Sequence, residues 1–213
     1  MMKIAIIGAS GNAGSAIYQE AVRRGHDVTG FARNVQRAQA VLGAQAKIEA
    51  RDGFALRREE LTQFDAVVDA ISAPPAKAYL HVDLAAHLIH ELRESTAPYM
   101  AFITGAGSLQ HNGHAFVQDI AKAPNADQFI SIPRSQAAEL EFLRHVDNVR
   151  WTAISPSATF QHGPATEFVL GHDELLADAA GQSVLNSGTL AVALLNELEQ
   201  PQNEMHRFTA RNK

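Results

Sequence analysis

Three glycines with a fixed spacing form the most informative motif of the chain. The segment Gly8-Ala9-Ser10-Gly11-Asn12-Ala13-Gly14 has the pattern G-x-x-G-x-x-G, and it joins an apolar run, Lys3 to Ile7, to a helical pattern. In that position the glycines permit a tight turn, close approach of the backbone to a pyrophosphate, and close packing of helix on strand. The unpaired N–H groups of a helix start also favour anions. The sequence therefore predicts a dinucleotide site that includes Gly8, Ser10, Gly11, Asn12, Ala13 and Gly14.

The end of the second predicted strand indicates which dinucleotide binds. The strand Asp27 to Ala32 is followed by Arg33, which lies 19 residues after Gly14. A fold that prefers NAD places an acid about 20 residues after the glycines, whereas an arginine there suits a 2′-phosphate. No acid stands at this strand end, and Arg37 follows one helical turn later. The sequence favours NADPH, with NADH as the alternative; an arginine that is merely solvated at a helix start is the competing interpretation.

Two later strand ends are expected to complete the cofactor site. Ligands of an open parallel sheet lie outside the carboxyl ends of its strands. We expect Ala70, Ile71 and Ser72 to pass the cofactor riboses, and Thr104 and Gly105 to lie beneath the nicotinamide. Small residues also occur at any tight turn, which is the alternative reading of both segments.

Three further residues are candidates for the reacting side of this site. Pro156 follows the sixth predicted strand and is expected to close the far side of the site. Ser108 is the hydroxyl nearest to the expected ring position, and His162 is near enough in sequence to act as a proton donor. We take Ser108 and His162 as the candidate catalytic residues, with an ordinary surface histidine as the alternative for His162.

The apolar pattern predicts the elements that hold these loops. The predicted strands are 3–7, 27–32, 46–49, 66–71, 99–104, 151–154 and 206–209, and the predicted helices are 12–24, 35–42, 57–61, 77–94, 135–145 and 189–199. Such alternation is typical of a parallel sheet with helices on its faces. We predict a single α/β domain of 213 residues with a doubly wound parallel sheet, a Rossmann fold. Residues 1–156 would form the dinucleotide-binding core, and residues 157–213 a small substrate-side elaboration.

Composition excludes several other classes of function. The chain has no cysteine, which removes thiolate metal sites and cysteine nucleophiles, and its formal charge of −5 argues against nucleic-acid binding. Asp83, His87 and Glu91 share one helix face, but a solvated, ion-paired face explains them better than a metal site. No apolar run is long enough for a signal peptide or a membrane span. We therefore expect an unanchored cytoplasmic protein without metal.

The chain resembles the atypical short-chain dehydrogenase/reductase superfamily. Within it, the chain is similar to the NmrA-like and NADH-flavin reductase subfamily, which is related to biliverdin reductase B. The resemblance covers nearly the whole chain and rests on the glycine motif, on Gly105 to Leu109, on Trp151 to Pro156 and on Leu190 to Glu199. It implies a nicotinamide cofactor and a reductase activity.

One departure from the superfamily shapes the expected reaction. Many members carry Tyr-x-x-x-Lys after the fifth strand, where the tyrosine protonates a carbonyl oxygen and the lysine lowers the tyrosine pKa. None of the three tyrosines here has a lysine four positions later. A flavin or quinone needs no such acid, because the reduced ring can take its proton from water. The prediction is an NADPH-dependent reductase of a flavin, quinone or similar conjugated acceptor.

Two other functions stay open at this stage. A dinucleotide-binding redox sensor that acts through a protein partner is the main alternative, since NmrA-like relatives suggest it. An isomerase or epimerase is disfavoured by the missing Tyr-x-x-x-Lys. Consumption of NADPH with FMN or a quinone would separate these functions, and the sequence leaves open whether the protein is a monomer or a homodimer.

Overall fold

The computed structural model describes all residues, 1–213, and contains twelve strands and seven α-helices. The strands are β1 (Lys3–Ile7), β2 (Asp27–Ala32), β3 (Ile48–Ala50), β4 (Ala66–Asp69), β5 (Ser95–Ile103), β6 (Gln110–His111), β7 (His114–Ala115), β8 (Val149–Ser155), β9 (Thr159–Gln161), β10 (Phe168–Gly171), β11 (Val184–Asn186) and β12 (Arg207–Asn212). The helices are α1 (Asn12–Arg23), α2 (Val35–Leu42), α3 (Arg58–Leu61), α4 (Leu80–Leu92), α5 (Val117–Ile120), α6 (Ser131–Leu143) and α7 (Ser187–Glu199).

Eight strands form one sheet in the order β10-β12-β8-β5-β4-β1-β2-β3. All neighbours in it are parallel except β10 and β12, which are antiparallel. The chain leaves β1 in one direction toward β3 and returns to β4 on the other side of β1. The predicted doubly wound α/β sheet is thereby confirmed, and its topological switch point lies between β1 and β4, where such folds bind ligands.

Apolar side chains cover both faces of this sheet, which is why its strands are almost continuously buried. On one face α1 and α7 pack with residues such as Ile17, Leu190 and Leu194. On the other face α4 and α6 pack with residues such as Leu88 and Leu143. The helix starts and strand ends are therefore held by a core on each side.

Three elements begin at least three residues away from the predicted start. Helix α6 begins at Ser131 instead of residue 135, because Pro133 lies in the first turn, where a missing N–H costs no helical hydrogen bond. Strand β5 begins at Ser95 instead of residue 99. Helix α4 begins at Leu80, because residues 75–77 form a separate 3₁₀ turn at the proline pair.

The segment 157–213 has two structurally distinct parts. Helix α7 packs in the main core and β12 pairs with β8 inside the large sheet. Residues 157–186 lie mostly outside these layers, although β10 pairs along the edge of the sheet on β12 and Leu185 is buried in the core under α1 and α7. The part of the segment that lies mainly outside the sheet and its helices is therefore 157–186.

Candidate functional site

A cleft of about 780 Å³ opens at the carboxyl ends of β1, β2 and β4. It lies at the switch point of the sheet, where the loops after β1 and β4 separate. Its wall comes from the four loops that follow β1, β2, β3 and β4 and from the start of α4. The lining residues are Ile7, Gly8, Ser10, Gly11, Asn12, Phe31, Ala32, Arg33, Asn34, Arg37, Arg51, Asp52, Gly53, Phe54, Ala70, Ile71, Ser72, Ala73, Pro74, Lys77, Leu80 and Leu84.

The glycine loop is shaped by close backbone contacts. Gly8 has a φ of +78°, and a Cβ there would lie 2.7 Å from the Ala70 carbonyl oxygen. A Cβ at Gly14 would overlap the Gly8 carbonyl oxygen, so this glycine lets α1 pack onto the end of β1. A Cβ at Gly11 would lie 3.3 Å from the same oxygen, which is tight but not an overlap. Gly8 and Gly14 are thus needed by the fold, while Gly11 leaves space at the helix start.

The start of α1 offers unpaired backbone donors to the cleft. Its N-cap is Gly11, which has no side chain to bond the first N–H groups, and the first turn contains no acidic residue. Asn12 and Ser10 line the cleft beside it. These donors and the helix dipole suit a pyrophosphate, so the residues fit a dinucleotide.

The cleft is positive although the chain as a whole is negative. Its charged lining consists of Arg33, Arg37, Arg51 and Lys77 against one acid, Asp52. No hydrogen bond or ion pair holds the side chains of Arg33, Arg37 or Lys77. Three cations therefore stay free to meet a polyanion, and the net charge of the wall attracts one.

A second polar group lies at the carboxyl ends of β5 and β8. Thr104 Oγ1 and Ser155 Oγ lie 2.9 Å apart, and both residues are fully buried. The Arg207 guanidinium donates to Ser155 Oγ at 3.2 Å and to Ser108 Oγ at 3.3 Å. Arg207 also forms an ion pair with Asp173, whose side chain is half exposed. Ser108, predicted as a catalytic candidate, is thus held by a buried arginine that the sequence did not single out.

The glycines after β5 are packed against α6. A Cβ at Gly105 would overlap Gln136 Oε1, and a Cβ at Gly107 would lie 3.0 Å from Pro133. These glycines therefore make room for side chains of α6, a role that the sequence analysis did not foresee. Thr104 and Gly105 lie outside the wall of the cleft, on the adjoining strand end.

Residues 8–201 match the NAD(P)H-binding family. The chain belongs to that family. It is 35% identical to the uncharacterized protein YwnB of Bacillus subtilis over 212 residues, 98% of this chain and 97% of that protein. A crystal structure from Lactobacillus casei is 40% identical with a TM-score of 0.92, covering 99% of both chains. A candidate NADH-flavin reductase from Streptococcus pneumoniae is 31% identical with a TM-score of 0.88, covering 100% of both.

This NAD(P)H-binding family agrees with the cofactor that the sequence resemblance implied. The family binds NAD(P)H, and the cleft at the switch point has the backbone donors and cations that fit such a dinucleotide. Nine of the fourteen residues expected to bind the cofactor line the cleft: Gly8, Ser10, Gly11, Asn12, Arg33, Arg37, Ala70, Ile71 and Ser72. Ala13 and Gly14 are buried in α1 behind it, and Thr104, Gly105 and Pro156 lie at the neighbouring strand ends.

The two candidate catalytic residues, Ser108 and His162, do not lie together. His162 follows β9 instead of β8, is exposed, and has no hydrogen bond to the protein. The structure does not link it to Ser108. The cleft also contains Arg51, Asp52 and Phe54, which the sequence analysis missed. The Asp52-Gly53 pair was the available signal, since Asp52 Oδ1 caps a 3₁₀ turn by accepting from Phe54 N at 3.1 Å.

Two histidines of a hairpin beside this site meet one carboxylate. His111 Nδ1 and His114 Nε2 lie 2.8 and 2.9 Å from Asp119 Oδ2, and Lys122 Nζ lies 3.1 Å from Oδ1. These hydrogen bonds hold the pKa of Asp119 well below its usual range. The cluster ties β6 and β7 to α5.

The helix face with Asp83, His87 and Glu91 contains no metal-binding group. Glu91 pairs with Arg57 Nη1 at 3.1 Å, and His87 Nε2 lies 2.9 Å from the Leu56 carbonyl oxygen. No three His, Cys, Asp or Glu side chains are grouped to hold a metal ion anywhere in the chain. Separately, none of the helices combines the length and apolar character needed to cross a membrane.

Two carboxyl groups are buried behind the cleft, between the sheet and α6. Asp69 ends β4 and accepts from Ile71 N at 3.1 Å, so it fixes a backbone turn that lines the cleft. Its other oxygen and one oxygen of Glu139 have no hydrogen-bond partner. Burial raises the pKa of Asp69 to about 7. Burial and the nearby Asp69 raise the pKa of Glu139 well above its usual value.

Proposed function

We propose that this protein is an NADPH-dependent reductase that transfers hydride to a flavin, a quinone or a similar conjugated acceptor. The observation that carries the proposal is the cleft at the switch point, with its free helix donors and three unpaired cations. The name of the Streptococcus pneumoniae relative supports a flavin acceptor. Ser10, Gly11 and Asn12 would hold the pyrophosphate, and Ala70, Ile71 and Ser72 would pass the riboses.

The preference for NADPH rests on the end of β2. Arg33 and Arg37 face the cleft without a protein partner, and the only acid of the cleft wall, Asp52, is engaged with a backbone N–H. Guanidinium groups bind phosphate through several N–H donors at once, whereas NAD would present a neutral hydroxyl there. Arg33 and Arg37 would therefore bind the 2′-phosphate.

The reaction would depend on alignment of two rings and not on an acid. The side chains at the ends of β5 and β8 are hydroxyls and an amide, which are poor proton donors at neutral pH. When bound, the reduced nicotinamide would supply a hydride, and the acceptor would take its proton from water. Thr104, Gly105 and Pro156 would border the ring, Ser108 would contact it, and His162 stays a weaker candidate.

The test is turnover by the purified protein. We expect NADPH absorbance to fall catalytically with FMN or menadione, and faster with NADPH than with NADH at equal concentration. Gly11→Val serves as the control without cofactor binding. Saturable NADPH binding without turnover on a panel of flavins, quinones and carbonyl compounds would refute the reductase and favour a dinucleotide sensor.

A further inference from the structure

The side chain of Gln136 reaches from α6 to the carboxyl end of β5. A Cβ built on Gly105 would lie 2.9 Å from Gln136 Cδ and 3.4 Å from Gln136 Cβ, and would overlap Oε1. The side chain thus lies along Gly105 and is held there because Gly105 has no side chain of its own. Gln136 is half-buried, and its carboxamide makes no hydrogen bond within the protein.

The other polar groups at this edge are already engaged. Thr104 and Ser155 bond each other, and Arg207 donates to both Ser155 and Ser108. Gln136 is therefore the group of this set that retains its full hydrogen-bonding capacity. A half-buried amide that is restrained without a partner is well placed to meet a ligand, because little further ordering is required on binding.

The chemistry at the carboxyl ends of β5 and β8 limits which ligand can bind there. The free cations Arg33, Arg37 and Lys77 line the cleft, so phosphates belong there and not at the end of β5. A carboxamide offers two N–H donors and one acceptor oxygen, and it cannot give up a proton near neutral pH. Its natural partner is an uncharged ring with carbonyl oxygens.

We propose that the Gln136 carboxamide binds a ring carbonyl of the electron acceptor. The inference rests on the proposed function and narrows it to acceptors whose reducible ring carries a carbonyl, such as flavins and quinones. For a quinone, NADPH and one proton from water give NADP⁺ and the hydroquinone. The carbonyl oxygen gains negative charge before that proton arrives, so the hydrogen bond donated by the Gln136 N–H to this oxygen strengthens during hydride transfer, and Gln136 keeps its own protons.

The first experiment removes the hydrogen bond. Gln136→Leu is compared with Gln19→Leu, which alters an exposed glutamine of α1 that also lacks a hydrogen bond. Binding of FMN to the NADP⁺-loaded protein is measured by fluorescence, and steady-state rates are measured with FMN and menadione. We expect kcat/KM for the acceptor and the affinity for FMN to fall about three- to tenfold in Gln136→Leu only, the effect of one neutral hydrogen bond.

The second experiment keeps the size of the side chain and changes its charge. Gln136→Glu places a carboxylate next to the carbonyl oxygen, so KM for the acceptor is expected to rise as the pH increases from 5 to 8. The wild-type protein should show no such rise. A purely structural role of Gln136 predicts no new pH dependence, and this variant also covers the case in which Gln136→Leu does not fold.

The outcomes separate this inference from the proposed function. If the wild type turns over and both variants keep wild-type acceptor constants, the role of Gln136 is refuted and the reductase stands. If NADPH affinity falls as much as acceptor affinity, the amide serves the nicotinamide, which also overturns the inference. If the wild type neither binds FMN nor oxidises NADPH with any acceptor, both proposals fail.

Discussion

The two halves of the site are built in different ways. The dinucleotide half depends on the loop Gly8 to Gly14 and on Arg33, all within one β-α-β unit. The proposed acceptor half includes Ser108, Gln136 and Arg207, which are far apart in sequence. Helix α6 brings Gln136 to the end of β5, and β12, which pairs with β8, brings Arg207 to Ser108.

This difference has a physical basis. Phosphate recognition needs backbone donors and a helix start, which a short local motif provides. Holding a neutral ring needs side chains from several directions, and each is placed by the core behind it. We therefore expect substitutions in the two halves to have separable effects on cofactor binding and on acceptor kinetics.

The largest expected effect is in the glycine loop. Gly11→Val should weaken NADPH binding on the order of 100-fold or more, because the new side chain excludes several charge-assisted hydrogen bonds. The fold should survive, since a Cβ at Gly11 meets its nearest neighbour at 3.3 Å. Calorimetry for binding and thermal unfolding for stability are the measurements.

The matched variant in this loop is Gly14→Val. Its Cβ would overlap the Gly8 carbonyl oxygen, so it should lower both Tm and affinity. NADPH affinity unchanged in Gly11→Val would show that the pyrophosphate lies elsewhere, whatever Gly14→Val does.

The next largest effect concerns cofactor choice. Arg33→Ala should weaken NADPH binding by about 1.5–3 kcal/mol, the range for hydrogen bonds to charged groups, and leave NADH binding nearly unchanged. Arg23→Ala is the control, because Arg23 is an exposed arginine of α1 that pairs with Glu20 instead of facing the cleft. Equal losses of affinity for NADPH and NADH would show that Arg33 does not bind the 2′-phosphate.

Sequence reasoning succeeded where the determinant is local. The glycine spacing, the arginine after β2 and the strand–helix alternation were sufficient to predict the fold and nine of the 22 residues that line the cleft. It failed where the determinant is tertiary. Nothing near Arg207 in sequence indicates that the last strand delivers a guanidinium to Ser108, 99 residues away.

The glycines after β5 show why local reasoning has this limit. Their small size was interpreted as space for a ring, and the structure adds that Gly105 accommodates Gln136 and Gly107 accommodates Pro133. A glycine provides space either for a ligand ring or for a side chain of α6, so only the observed packing of α6 distinguishes these two roles. Similarly, β5 was predicted too short because its first residues, before Tyr99, are not apolar in pattern.

A smaller effect is expected on stability from the carboxyl pair behind the dinucleotide half. Burial raises the pKa of Asp69 to about 7, so the folded protein binds more protons than the unfolded chain above the unfolded pKa of about 3.9. The contribution of this proton to the free energy of unfolding is then complete at low pH and is lost as the pH rises toward 7. The expected slope is about 1.4 kcal/mol per pH unit for one proton.

Denaturant unfolding between pH 5 and 7.5 measures this slope, with Asp69→Asn and Glu139→Gln as variants that should flatten it. On the acceptor side, the lowered pKa of Asp119 acts with the opposite sign, and its contribution is lost only as pH falls below about 4. Its titration therefore lies outside the measured window. A wild-type protein whose free energy of unfolding is constant or rises from pH 5 to 7.5 would contradict the raised pKa of Asp69.

The smallest expected effect is that of Ser108→Ala on turnover. Arg207 keeps Ser155 and Asp173 when the Ser108 hydroxyl is removed, so the network behind the acceptor half should persist. If alignment carries the reaction, kcat should fall less than about tenfold, well short of the 10²- to 10⁴-fold typical of losing a general acid. Single-turnover oxidation of bound NADPH by menadione measures this step directly, and unchanged NADPH affinity is the control.

A loss of kcat near 10⁴-fold would mean that Ser108 delivers the proton and that the enzyme reduces a carbonyl by acid catalysis. The acceptor half would then hold a reacting group and not only a binding edge, and its contrast with the dinucleotide half would be one of chemistry as well as of construction.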